Sequence, residues 1–203
     1  MEAQTGSVPW GGLILALLIM VVTGLWIAVA WHRYILRVEE PGSVIPAFKG
    51  DRMLAYFGYS ILIAIILILM SLVLGLVVGL VVGPFLGSSP LFGMIVIGIL
   101  VYVPLVIVAY RLSVVLPAAA LGEELGIGGA LERTRGTTGT LLLLAIISLI
   151  GAVVIDLPTA YIFTPGSIIS IIWSALTQWI VLMVGISILT TLYGVYVEDR
   201  KLN

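Results

Sequence analysis

Five stretches of this chain, at about 10–31, 55–83, 91–111, 139–160 and 167–194, are apolar over roughly the ~20 residues that a helix needs to cross a ~30 Å hydrocarbon layer. Without water to bond to, backbone N–H and C=O groups must be satisfied within the segment, and an open apolar stretch of this length does so as a helix. The expectation is an all-α, polytopic transmembrane bundle of about five spans, forming one integral membrane domain over residues 1–203. Composition points the same way. The chain is 62% hydrophobic and 9% charged, with a mean hydropathy of +1.29, whereas a soluble domain is about one quarter charged. Nine basic and ten acidic residues cannot cover so large an apolar chain in water.

The fourth stretch is the ambiguous one, because its uninterrupted apolar run covers only 141–155 and would also suit a re-entrant segment. The basic residues decide between the two. With five crossings, Arg33, Arg37, Lys49, Arg52, Arg111, Arg133, Arg135, Arg200 and Lys201 all share one side. The opposite side, with the N-terminus and the turns at 83–90 and 158–167, has no Lys or Arg. This is the positive-inside pattern, and it places the N-terminus outside and the C-terminus in the cytoplasm. Residues 1–9 carry no Lys or Arg and the first apolar run is long, so the first helix is expected to stay as an anchor. The segments 32–54 and 112–138 are too short for a separate soluble core.

A net charge of −1 and scattered basic residues offer no field for nucleic acid. With no Cys and one His, the chain alone cannot form disulfides, thiolate zinc sites or a bis-histidine haem site, and no cofactor or metal is expected. A nucleophile needs a neighbouring base, and none is legible: Glu39 with Glu40 and Glu123 with Glu124 read as solvated loop acids. The chain is therefore expected not to be an enzyme.

Small residues recur every fourth position at Ser71, Gly75, Gly79 and Gly83, aligning on one face of the second span as a seam for close helix packing. This seam serves either the bundle itself or a partner. In the fifth span, Ser170, Ser174, Thr177 and Gln178 form a polar stripe. Gln178 lies ~15 Å along that helix, near the midplane, where an amide should face protein or water. Arg111 falls at the cytoplasmic interface and Asp156 near the outer one, too far apart to pair. Arg111, Arg133 and Arg135 are candidates for lipid headgroup contact.

His32 follows Ala28 by four residues, a spacing seen where a histidine ligates bacteriochlorophyll in antenna helices. Trp31, Arg33 and Tyr34 around it also read as an ordinary interfacial girdle. Residues 112–138 read as a cytoplasmic interfacial segment, with a short helix near 129–135 and Gly126, Gly128, Gly129 and Gly136 in a flexible surface loop. These glycines do not match a phosphate-binding loop.

The run Arg111-Leu-Ser-Val-Val-Leu-Pro117-Ala-Ala-Ala-Leu, followed by Ala130-Leu131-Glu-Arg-Thr134-Arg-Gly136, resembles uncharacterised bacterial polytopic proteins of the YciC-like, glycerophosphodiester-phosphodiesterase membrane-domain group. Trp31-His32-Arg33-Tyr34 with Glu40-Pro41 is similar to a pattern in alphaproteobacterial members. The resemblance implies a bacterial inner-membrane location and a helical bundle with a cytoplasmic-side Arg and a Leu-Pro break. It implies no reaction, since the phosphodiesterase domain of some relatives has no counterpart in these residues. The leading expectation is a non-enzymatic accessory or scaffolding component that packs against another membrane protein, itself or lipid. A passive channel or carrier for a small or lipid-like solute is the alternative, and pigment or haem binding through His32 is the remote one.

Overall fold

The computed structural model describes residues 10–38, 45–84 and 90–201, apart from the side chains of Pro90 and Met94. All regular structure among the described residues is helical: α1 (Trp10–Arg37), α2 (Gly50–Val82), α3 (Pro90–Ile97), α4 (Val103–Ser113), α5 (Val115–Leu121), α6 (Ile127–Arg133), α7 (Thr138–Tyr161) and α8 (Ile168–Tyr196). A π-helical turn, Gly98–Tyr102, joins α3 to α4. It lies just ahead of Pro104, which has no N–H to donate to the carbonyl four residues back, so the ladder widens there. Among the described residues, five helical rods are long and apolar enough to cross a membrane: α1, α2, the run Leu91–Leu121, α7 and α8. The chain is an all-α, polytopic helical bundle with the character of a multi-pass membrane protein.

The spans form a ring. α1 packs between α2 and α8, α2 also meets α4, and α7 bridges α4 and α8. α7 runs unbroken for 24 residues past Pro158, or ~36 Å at 1.5 Å per residue. In the turn that Pro158 disturbs, Trp173 Nε1 of α8 donates to the Ile155 carbonyl at 3.3 Å.

The third span differs most from expectation. Its helix does not stop at Arg111 and pass into a surface loop, but continues to Ser113, bends at Val114 and resumes as α5. α5 inserts between α1, α2 and α8, and Val114, Val115, Ala118 and Ala120 are completely buried. Pro117 is tolerated because it sits in the first turn, where its missing N–H leaves no helical bond unmade. The run of three alanines lets three larger helices close around it. A Schellman cap ends α5: Gly122 at φ +83° donates to Ala119 O, while Glu123 N donates to Ala118 O at 2.9 Å. α6 then packs on α4. Residues 112–133 are thus folded against the bundle rather than forming a flexible loop.

The packed core lies at the end of the bundle that carries the arginines. One apolar cluster joins Leu36, Val114, Ala118, Leu141 and Tyr193, and a second joins Val29, Met53, Tyr56 and Ile186. These residues come from α5 and the bend before it, from the last three turns of α1 and α8, and from the first two turns of α2 and α7. Toward the other end the helices present Leu, Ile and Val outward, and at most 11% of each spanning window is buried within the chain. That apolar surface has to be covered by lipid or by another protein.

Candidate functional site

The polar residues of the basic end are drawn into a clasp built on one face of α1, where His32, Arg33, Leu36 and Arg37 follow helical spacing. His32 is fully buried. Its Nδ1 lies 2.8 Å from Thr190 Oγ1 of α8, and its ring stacks on Tyr56 of α2 with centroids 5.7 Å apart. Thr190 donates its only hydroxyl proton to Ile186 O at 2.8 Å, so it can only accept from the imidazole. The geometry therefore assigns the proton to Nδ1 and leaves the buried Nε2 without a hydrogen-bond partner among the described residues.

Arginines close helix ends, those of the short helices α5 and α6 and that of α1. A helix leaves its last carbonyls unpaired and carries partial negative charge there, which suits a guanidinium. Arg33 donates to Ala120 O of α5 at 3.1 Å. The Arg52 guanidinium lies over Gly122, so close that a Cβ at that position would come within 2.1 Å of Nη1. Arg111 donates to Leu131 O at 2.5 Å and to Thr134 Oγ1 at 3.1 Å, tying α6 to α4. Arg200 donates to Leu36 O of α1 at 2.5 Å. Glu123 is shared: Arg37 pairs with one oxygen at 3.1 Å and the Tyr193 hydroxyl donates to the other.

The residues singled out by sequence fall into different places. Arg111 is half-buried and bonded to α6, Arg133 is exposed with Nη1 3.5 Å from Val197 O, and Arg135 is exposed. Arg111 and Asp156 sit in the last turn of α4 and toward the far end of α7, at opposite ends of the bundle. The middle of the α2 seam is open: Gly75 and Gly79 are exposed, and a Cβ at either would find no atom of the described residues within 4 Å. Ser71 and Gly83 are half-buried. The stripe on α8 divides, since Ser170 and Thr177 are buried and Ser174 half-buried, while Gln178 is exposed. Ser167 caps α8 by accepting from Ser170 N at 3.2 Å, and the Thr177 hydroxyl donates to Ser174 O.

A macrocycle has no approach to His32, because Ala28 is buried too and Tyr56 and Thr190 enclose the ring. The Ala28-His32 spacing reflects close packing here. No group of three His, Asp or Glu side chains among the described residues could hold a metal ion. Glu39 and Glu40 lie outside the described residues. Sequence reasoning missed Thr190, Tyr193 and the role of Glu123. The only local signal was the three-to-four spacing of polar residues in 29–37.

No family model matches the chain, and no curated protein or solved structure is similar enough to assign a relationship.

Proposed function

We propose that this chain is a non-enzymatic accessory or scaffolding component of a membrane assembly, docking another integral membrane protein along its loosely packed half. The observation that carries this reading is Gln178. It stands about ten residues into α8, ~15 Å from the helix start, exposed and without a side-chain hydrogen bond among the described residues. A primary amide left unpaired in hydrocarbon costs several kcal/mol, on the order of 2–7, so a polar group on a second protein is the favoured cover. The open Gly75 and Gly79 face of α2 supports the reading, because it permits close approach of a further helix. Nine basic residues at one end favour that end as cytoplasmic. The inner membrane of a bacterium is the location implied by the sequence resemblance.

Site-specific photo-crosslinking tests this. A photoreactive residue replacing Gln178 in intact membranes should give a protein adduct of one discrete mass. Adducts to lipid alone would count against a protein partner there, and a solute flux abolished by Gln178→Leu would favour the channel or carrier reading instead.

A further inference from the structure

We propose that the groove between the ends of α1 and α8 binds an anionic glycerophospholipid, with an acyl chain along the groove and the phosphate at Lys201 and Arg200. A cavity of about 350 Å³ opens between the two helices, walled by Trp31 and Ile35 on one side and Thr191 and Gly194 on the other. It shares Trp31, Ser187 and Thr191 with a second cavity of about 350 Å³ that runs on along α8 to Met183. From Gly194 to Met183 the joined groove follows α8 for ~16 Å, the scale of an acyl chain rather than of a free anion.

The walls are apolar in effect. The hydroxyls of Ser187 and Thr191 donate to Met183 O and Ser187 O within their own helix. Gly194 keeps the upper groove narrow-walled but open: a Cβ there would touch Arg200 Cδ at 3.5 Å and Leu36 Cδ2 at 3.7 Å.

Charge is confined to the mouth. Asp199 adopts a left-handed conformation at φ +56°, and Arg200 N then bonds back to Gly194 O at 2.9 Å. This turn brings Arg200 and Lys201 to the groove, whereas Glu198 and Asp199 do not line it. Arg200 is partly engaged by Glu198 at 2.5 Å and by Leu36 O. Lys201 is exposed and forms no ion pair among the described residues. An apolar channel that ends in an ammonium with no ion pair among the described residues, just past the end of a spanning helix, matches a lipid carrying both an acyl chain and a negative headgroup. A free phosphate would leave the apolar wall unused, and a transmembrane peptide would leave the charge unmet.

The experiment uses the full chain, purified in a mild detergent and stripped of lipid, in native mass spectrometry with equal amounts of phosphatidylglycerol and phosphatidylcholine of identical chains. Phosphatidylglycerol adducts should exceed phosphatidylcholine adducts by about fivefold, the scale expected for one basic residue near an anionic headgroup. Lys201→Gln, an exposed change, should bring the two to parity, and Ile35→Trp, which fills the groove from an exposed position, should reduce both. Arg135→Gln should change neither, and inorganic phosphate should not displace the lipid. Equal binding of the two lipids by the unaltered protein would overturn the proposal. So would a preference that survives Lys201→Gln, or competition by inorganic phosphate at the lipid's own concentration.

Discussion

His32 of α1 donates through Nδ1 to Thr190 Oγ1 of α8 at 2.8 Å, across 158 positions of sequence, in a completely buried setting. The direction follows from Thr190, whose proton already goes to Ile186 O. Two spans are thereby joined at one register. Removing one partner strands a buried donor, which costs ~1–3 kcal/mol, whereas removing both together with apolar replacements of similar shape is nearly neutral. Thr190→Val alone should lower stability by that amount, and His32→Phe with Thr190→Val by less than the sum of the single changes. Unfolding titrations with SDS in mixed micelles, run as a double-mutant cycle, measure the coupling; strict additivity would remove the bond from the account.

Gly122 and Gly136 share a left-handed φ, +83° and +82°, but only Gly122 faces a neighbour. Gly136→Ala should cost about 1–2 kcal/mol, the left-handed penalty of a residue with a Cβ. Gly122→Ala carries that penalty and must also expel the Arg52 guanidinium, so its cost should be clearly the larger in the same titration. Equal costs would show that the Arg52 contact contributes nothing.

Arg111 holds α6 through Leu131 O and Thr134 Oγ1. Hydrogen bonds to a charged group are each worth ~1.5–3 kcal/mol, so Arg111→Met should release α6 first. Hydrogen exchange of 127–134 should quicken by at least tenfold, with α7 and α8 little changed. Uniform acceleration through all helices would instead make Arg111 a general stability residue.

The seam on α2 separates folding from docking. Since no atom of the described residues lies within 4 Å of a Cβ at Gly75 or Gly79, Gly79→Leu should leave the unfolding free energy within the ~0.5 kcal/mol usual for surface changes. Under the proposed function it should nonetheless weaken partner association. A stable variant that keeps its partner at full occupancy would take the seam out of the interface.

The spans were legible because hydropathy over ~20 residues is a property of the segment itself. α5 was not, and the reason is local: Pro117 and the Glu123-Glu124 pair read as the start of a polar loop, while burial of 115–121 is imposed by α1, α2 and α8. Arg111 sits in the last turn of α4, but its acceptors lie twenty residues and more further on, in α6 and its C-cap, and leave no mark in its own segment. His32 and Thr190 illustrate the same limit, since no local pattern joins residues so far apart. Gln178 could be recognised as polar and deep, yet the face it presents depends on which neighbours the ring brings beside α8.

The most direct test of a docking component is native mass spectrometry of the untagged protein after gentle solubilisation from its own membrane. A stoichiometric complex with another integral membrane protein is expected, diminished by Gly79→Leu and by Gln178→Leu while each variant remains folded. A monodisperse monomer that conducts or carries a solute in liposomes would contradict it.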